Sequence, residues 1–248
     1  MLFVNGLKRS GNHVVIGWIC ENFHLDHENW INSRNQHYHY NVRNVKKKPY
    51  IKGVLYSYED LDYDQFCQYL PSVAITIAIR RSVSNMVASR IVAFQGNPQI
   101  ERPPFSDYED EISADQCSGK FIGAEADLIH RFYSSLMQYD LVIEFDRFIE
   151  SSTYRLELKR RINALLLPAY PFRVFLSWLT INSELTSALN KVSDIGFGSS
   201  FLRRGERETA VQNYAKRVDL LSRDQRQLHD RIVLRLGEIG MPKNFQKN

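Results

Sequence analysis

The first twenty residues constrain the fold of this chain more than any other stretch. Residues of strand character lead into Gly6 and Gly11, and an apolar helical pattern begins directly afterwards. A strand, a tight loop and a helix in this order place backbone N–H groups and the positive end of the helix dipole around one point. The loop adds side chains that are charged or donate hydrogen bonds: Lys8, Arg9, Ser10, Asn12 and His13. The segment therefore predicts a site for a phosphate or sulfate group.

The glycine spacing matches only half of the ATP-binding pattern Gly-x-x-x-x-Gly-Lys-Ser/Thr. Asn12 and His13 stand where that pattern has its lysine and its magnesium-binding hydroxyl. These differences disfavour an ordinary ATPase or kinase loop. A plain strand-to-helix turn, with glycines chosen for their backbone freedom, stays open as the simpler interpretation.

The hydrophobic pattern along the chain alternates between strands and helices. Strands are predicted at residues 49–57, 73–79 and 141–145, and helices at about 11–22, 61–70, 119–137, 172–190 and 222–237. A further helix is predicted after Arg81, with Val83, Met86, Val87 and Ile91 on one side, and another follows the strand at 141–145 through about residue 166. The run 73–79 is continuously apolar, as expected for a strand covered on both faces. We therefore expect an α/β fold with a central, mainly parallel sheet flanked by helices.

Composition narrows the class of protein further. The 248 residues suffice for one large domain over 1–248, and no repeat or linker divides them. The three cysteines lack metal-ligand or paired spacing, which fits a reducing cytoplasm. A net charge of +4 from 32 basic and 28 acidic residues is too small to demand nucleic acid, and no stretch has membrane-spanning length. We expect a cytoplasmic protein without nucleic-acid or membrane partners.

Two polar stretches bear on a second ligand. Residues 24–40 contain four histidines among aromatic residues, without the cysteines or helical spacing of a metal site, so a surface loop or the wall of an acceptor pocket is predicted. Residues 95–118 contain three prolines and several acidic residues, as in a lid, a binding loop or a disordered segment. Their negative charge would attract a cationic small molecule.

Two further groups of donors follow the first loop. Arg81 comes directly after the apolar strand at 73–79, and Ser89 follows eight residues later. A glycine-rich turn near the end of the chain contains Arg203, Arg204 and Gly205. In this order and spacing, the three groups resemble the signatures of the sulfotransferases that use 3′-phosphoadenosine 5′-phosphosulfate (PAPS).

The resemblance implies a cofactor and its contacts. The segment from Arg9 to His13 is similar to the family's Pro-Lys-Ser/Thr-Gly-Thr-Thr loop, with arginine at the lysine position, so the loop would bind the 5′-phosphosulfate through Lys8, Arg9, Ser10, Gly11, Asn12 and His13. Arg81 and Ser89 would bind the 3′-phosphate, and Arg203, Arg204 and Gly205 would reach the 3′-phosphate and adenosine. Phe145 corresponds more weakly to an aromatic residue near adenine. No metal is required.

The resemblance also implies catalytic roles. Arg9 or Lys8 would stabilise the leaving phosphate, and His13 would lie beside the transferred sulfuryl group. The family's base lies at the end of the strand before the central one, where this chain has Glu59. Tyr58, His37 and His39 remain alternatives for the base, and Glu59 could instead be an N-terminal charge for the helix at 61–70.

The acceptor is expected to be a small molecule with a hydroxyl or amine, such as a cationic, nitrogen-rich natural product. Two other classes stay open: a nucleotide or small-molecule kinase using ATP, and a non-catalytic module that binds phosphorylated ligands or RNA.

Overall fold

The computed structural model describes residues 2–23, 26–32, 54–95, 119–168 and 217–241. Several predicted features lie outside these ranges: the helix at 172–190, residues 96–118 of the acidic insertion, His37, His39, and the turn with Arg203, Arg204 and Gly205.

Five strands form one sheet in which every neighbouring pair is parallel. They are β1 (Leu2–Gly6), β2 (Asp26–Asn32), β3 (Val54–Glu59), β4 (Ile75–Arg80) and β5 (Leu141–Glu144). The order across the sheet is β2-β3-β1-β4-β5, so β1 is the middle strand. Helices follow β1, β3, β4 and β5 along the chain, which confirms the predicted α/β class with a parallel sheet.

The described helices are α1 (Asn12–Phe23), α2 (Tyr63–Cys67), α3 (Val83–Gln95), α4 (Gly119–Ser134), α5 (Phe145–Glu150), α6 (Ser152–Leu166) and α7 (Arg223–Glu238). Short 3-10 helices cover Leu136–Gln138 and Arg217–Leu220. The starts of α2 and α7 are set by capping boxes, in which Asp62 and Ser222 accept from the backbone N–H of the glutamine three residues later.

Contacts divide the chain into two compact units, each discontinuous in sequence. The sheet unit comprises residues 1–80 and 135–205 and contains all five strands with α1, α2, α5 and α6. The helical unit comprises residues 81–134 and 206–248 and contains α3, α4 and α7. The single domain predicted over 1–248 stays a prediction.

Aromatic rings cover one part of the sheet unit. Phe3 of β1 stacks on Tyr56 of β3, with ring centroids 5.0 Å apart. Tyr58 of β3 packs edge-on against Phe66 of α2 at 5.4 Å, and Phe66 stacks on Tyr139 at 5.5 Å. Burial raises the pKa of the Tyr58 hydroxyl to about 12. These contacts seat the short helix α2 on the sheet.

A side-chain link fixes the entry into β5. The carboxylate of Asp140 accepts hydrogen bonds from the backbone N–H and the hydroxyl of Thr76, at 2.8 and 2.9 Å. The N–H of Asp140 in turn donates to the Thr76 hydroxyl oxygen at 3.1 Å. At the other end of the same strand pair, Arg80 and Glu144 form an ion pair at 2.8 Å. Both ends of the β4–β5 pairing are therefore specified by polar contacts.

Part of the histidine-rich stretch is a strand, so the predicted surface loop is wrong for residues 26–32, and the predicted pocket wall stays a prediction. β2 pairs with β3 from Asp26 to Asn32, with a register irregularity between Glu28 and Trp30. Its mostly polar sequence shows no alternating apolar pattern. Backbone hydrogen bonds to β3, which is distant in sequence, make this segment a strand. It is the last strand in the order of the described sheet, a position that tolerates a polar sequence.

Several boundaries also differ from the predictions. α2 covers five residues instead of 61–70, because Asp62 caps its start and Pro71 follows shortly after its end. The second predicted strand continues past Ser57 to Glu59. The helix predicted through residue 166 is two helices that meet at Ser151, whose hydroxyl oxygen accepts from the N–H of Tyr154 at 3.1 Å.

Polar contacts join the helices of the helical unit. Arg90 of α3 forms a two-bonded ion pair with Glu125 of α4, at 2.7 and 3.2 Å, and both side chains are buried. The Ser84 hydroxyl oxygen lies 3.0 Å from Nε2 of His229 in α7, whose Nδ1 lies 2.9 Å from an Asp230 carboxylate oxygen. The same Nε2 is 3.2 Å from the Ser84 carbonyl oxygen. The buried imidazole thus bridges α3 and α7.

Replacing Arg90 with leucine is expected to lower the free energy of unfolding by about 3–5 kcal/mol, because the Glu125 carboxylate would stay buried without its ion-pair partner. Urea denaturation measures the loss. The matched control is Arg235→Leu, which removes the exposed ion pair between Arg235 and Glu238 and should cost about 0–1 kcal/mol. Equal losses in the two variants would contradict a special contribution from the buried pair.

Candidate anion-binding and acid–base site

The loop Leu7–Gly11 lies at the carboxyl-terminal edge of the sheet. It leaves β1 at Gly6, which is in register with Glu59 on β3 and with Ile79 on β4. The ends of three parallel strands therefore lie side by side beneath it. Ligands of parallel α/β sheets bind at this edge, where the strand order reverses on either side of the first strand. The predicted anion loop thus occupies the expected position in the sheet unit.

Two loop residues have left-handed backbone conformations. Gly11 has φ 86° and Arg9 has φ 73°. The N–H of Ser10 donates to the carbonyl of Leu7 at 3.0 Å and closes the turn between them. A left-handed conformation is costly for arginine, and such strain concentrates at functional loops.

Close neighbours leave no room for a Cβ atom at Gly6 or Gly11. A Cβ atom at Gly11 would lie 2.1 Å from the ring of Phe145, the first residue of α5. A Cβ atom at Gly6 would lie 2.3 Å from Oδ1 of Asn12. Phe145 is the first residue of α5, although the sequence predicts it as the last residue of β5. Its ring is fully buried and lies against Gly11 of the loop. Its predicted adenine contact stays a prediction and would require the ring to become exposed.

The Ser10 side chain is a candidate contact for a ligand. It is fully buried, and its Oγ has no hydrogen-bond partner within the part of the chain that the structure describes. A buried hydroxyl without a partner costs about 1–3 kcal/mol. The first N–H groups of a helix have no intrahelical acceptor, so the start of α1 favours an anion. An anion bound there would also accept a hydrogen bond from the Ser10 hydroxyl.

Two backbone N–H groups of the loop take other partners. The N–H of Lys8 donates to Oδ1 of Asp60 at 2.8 Å, and the N–H of Ser10 closes the turn to Leu7. The expectation that the loop amides converge on one anion therefore does not hold for these two. Asp60, which has φ 57° and is buried, anchors the loop to the end of β3. The only signal for this anchor in the sequence around β3 is the second acid that follows Glu59.

The side-chain amide of Asn12 is directed at Glu59. Its Nδ2 donates to Oε1 of Glu59 at 2.7 Å and to the carbonyl of Leu7 at 3.1 Å, so both amide hydrogens have acceptors inside the protein. The Asn12 side chain therefore bonds the predicted base, Glu59, instead of donating to the phosphosulfate as expected. Binding of the phosphosulfate by the backbone N–H of Asn12, at the start of α1, stays a prediction.

The same contact bears on the two roles predicted for Glu59. The helix α2 already has Asp62 as its cap and Asp64 as an acid in its first turn, so the role of Glu59 as its N-terminal charge stays a prediction. Glu59 lies beside the first residue of α1, with 7% of its surface exposed. A carboxylate at this helix start is favoured by the dipole, and it lies next to the loop where the anion is predicted.

Tyr58, the alternative base on β3, is directed elsewhere. Its ring packs against Phe66 and lies 5.2 Å from the ring of Tyr69. Desolvation raises its pKa to about 12, so the hydroxyl keeps its proton at neutral pH and cannot accept another group's proton. Among the residues of β3, the geometry therefore favours Glu59.

Two of the residues predicted to bind the 3′-phosphate, Arg81 and Ser89, belong to the helical unit. Arg81 directly follows β4 in the chain and is buried, and its carbonyl accepts a hydrogen bond from the hydroxyl of Tyr133. Ser89 lies within α3 and is partly exposed. Their binding of a 3′-phosphate stays a prediction.

Comparisons of the chain with protein-family models, curated proteins and solved structures found no match. Within the described ranges, no group of three or more His, Cys, Asp or Glu residues is arranged to hold a metal ion. Of the helices in those same ranges, none is long and apolar enough to cross a membrane.

Gly11→Ala is expected to destabilise the protein by about 2 kcal/mol or more, since alanine is strained at positive φ and its Cβ would overlap the Phe145 ring. Thermal and urea denaturation measure the change. The control is Gly17→Ala in the same region, where a Cβ meets nothing within 4 Å and the helix α1 should gain about 0.5–1 kcal/mol. A Gly11→Ala variant as stable as the wild type would refute the close packing of Phe145.

Proposed function

We propose that this protein is a sulfotransferase that transfers the sulfuryl group of PAPS to a hydroxyl or amine of a small molecule. The observation that carries the proposal is the juxtaposition, at one edge of the sheet, of the cationic loop with its buried Ser10 hydroxyl and of the Glu59 carboxylate. An anion site beside a carboxylate provides two of the groups that such a transfer needs: stabilisation of a leaving phosphate and a proton acceptor.

The loop residues suit the phosphosulfate end of the nucleotide. Lys8 and Arg9 contribute positive charge, Ser10 contributes a hydroxyl, and α1 contributes its N-terminal dipole. Two carboxylates, Glu59 and Asp60, lie close to the same loop. The two basic side chains are therefore needed to keep the local potential favourable for an anion.

The chemistry divides between the two sides of the site. When bound, PAPS supplies an activated sulfuryl group and a phosphate on which negative charge develops. Arg9 or Lys8, together with Ser10, would stabilise that charge, and His13 would lie beside the sulfuryl group. Glu59 would accept the proton that the hydroxyl or amine of the acceptor loses as its bond to sulfur forms.

The remaining contacts of the proposal rest on the sequence resemblance. Arg81 and Ser89, with Arg203, Arg204 and Gly205, would bind the 3′-phosphate end. The acidic insertion at 95–118 supports a cationic acceptor. The proposed localisation is the cytoplasm. The absence of Lys-Ser/Thr after Gly11 speaks against the kinase alternative, which would need ATP and magnesium.

Calorimetry with 3′-phosphoadenosine 5′-phosphate (PAP) tests the nucleotide. We expect PAP to bind more tightly than ADP or ATP, without dependence on magnesium. Ser10→Ala should weaken PAP binding by about 1.5–3 kcal/mol, the contribution of a hydrogen bond to a charged group, and leave the ligand-free protein at least as stable. Ser72→Ala, at an exposed position, is the control. Tighter binding of ATP than of PAP would refute the proposal.

Glu59→Gln tests the base. The amide cannot accept the acceptor's proton, so turnover should fall by about 100-fold or more while PAP affinity stays within about threefold of the wild type. The assay is release of PAP from PAPS with a panel of neutral and cationic alcohols and amines. A wild type that binds PAP but releases none from PAPS with any acceptor would favour the binding-module alternative. Full activity in Glu59→Gln would assign the base elsewhere.

A further inference from the structure

We infer that Asn12 is a positioning residue, whose side-chain amide holds the Glu59 carboxylate in place for proton transfer. The inference rests on the proposed function of Glu59 as the base. The contact itself does not, since it is a property of the folded sheet unit.

The first step is the geometry of the amide. The two acceptors of Nδ2 belong to different segments, since Glu59 ends β3 and Leu7 begins the loop. Asn12 is 3% exposed and Glu59 7%, so water hardly competes for these hydrogen bonds. A donor bonded to a charged acceptor in such surroundings is stronger than an exposed one. The Asn12 side chain thus links the strand end that carries the base to the loop predicted to bind the anion.

The second step is the orientation of the amide. Both acceptors are oxygens without a proton to donate, a carboxylate and a carbonyl. The reversed amide would set Oδ1 against two oxygens, so the chemistry of the acceptors requires the N–H side to face them. Oδ1 then faces Gly6, where a Cβ would lie only 2.3 Å away. Glycine at position 6 is thus what allows Asn12 to adopt this orientation.

The third step is the consequence for Glu59. A glutamate side chain has three rotatable torsions, and a hydrogen bond to one carboxylate oxygen restricts all of them. Placing a base in advance lowers the entropic part of the barrier, and an error of about 1 Å in such a group costs about 100-fold in rate. A donated hydrogen bond also favours the ionised carboxylate, the form that accepts a proton.

Asn12→Asp is the most direct variant because it keeps the shape and replaces the donor with an oxygen. Two carboxylates at this distance share a proton, so Glu59 should ionise at higher pH. The other charged groups at this edge, Lys8, Arg9 and Asp60, are unchanged. We expect turnover at neutral pH to fall about tenfold or more and the pH at which turnover rises to increase by about one unit. The affinity for PAP is compared in Asn12→Ala, which adds no charge beside the loop and should bind PAP within about threefold of the wild type.

The matched control is Asn22→Asp on the same helix. Asn22 is also fully buried, and its Nδ2 donates to the carbonyl of Trp18 at 2.9 Å. This variant should lose stability without changing the pH profile of turnover. A shifted profile in Asn12→Asp with an unshifted one in Asn22→Asp separates positioning of the base from general destabilisation.

The double variant Asn12→Asp with Glu59→Gln tests the contact without relying on activity. The introduced glutamine amide can donate to the introduced aspartate, which restores the hydrogen bond with donor and acceptor exchanged. The double variant should unfold at higher urea concentration than Asn12→Asp alone and stay below the wild type, because the bond to Leu7 remains lost. It should remain inactive because the glutamine side chain cannot act as a base. If Asn12→Asp does not fold, Asn12→Ala replaces it, with the same expected loss of turnover at unchanged PAP affinity.

Each outcome has a distinct meaning. A double variant no more stable than Asn12→Asp would overturn the contact between the two side chains. An unchanged pH profile and turnover in Asn12→Asp would overturn the positioning role while leaving the sulfotransferase proposal intact. A wild type that neither binds PAP nor uses PAPS would overturn the proposed function, and with it any role of Asn12 in proton transfer, whatever the stability data show.

Discussion

The parallel hydrogen-bond ladders on both sides of β1 are the constraint on which the site depends. They bring the end of β1 level with the end of β3 and of β4, so that Gly6, Glu59 and Ile79 share one edge of the sheet. A parallel sheet requires long connections between neighbouring strands, and these connections provide the loops of the site. The loop after Gly6 is short, and the glycines at its two ends pack closely against Asn12 and Phe145.

Two acids at this edge of the sheet are hydrogen-bonded to the loop that follows β1. Asn12 bonds Glu59, and the backbone of Lys8 bonds Asp60, so two acids at the end of β3 are tied to the loop. Burying an acid is tolerated only with such partners. The Ser10 hydroxyl is buried beside these acids and has no hydrogen-bond partner among the residues that the structure describes. This hydroxyl is the observation on which the proposed anion site rests.

Local sequence signals predicted the elements that depend on local interactions. The first helix begins at Asn12, one residue from its predicted start, and α7 ends at Glu238, one residue from its predicted end. The strand β2 was not predicted, because its polar sequence has no strand period and pairing with β3 supplies its stability. The helix α2 is shorter than predicted. Apolar spacing contains no information about the cap at Asp62, which sets its start, or about Pro71, which follows its end.

For the site, the sequence by itself determined which residue types lie in the loop and after β3, and that the ATP-binding pattern is incomplete. Only the tertiary structure decided what they contact: the amide of Asn12 faces a glutamate 47 positions away, and Phe145 lies against Gly11. Periodicity and motif spacing describe residues close in the chain. The partner of a buried polar group is set by how distant strands and loops meet, so it is visible only once the chain has folded.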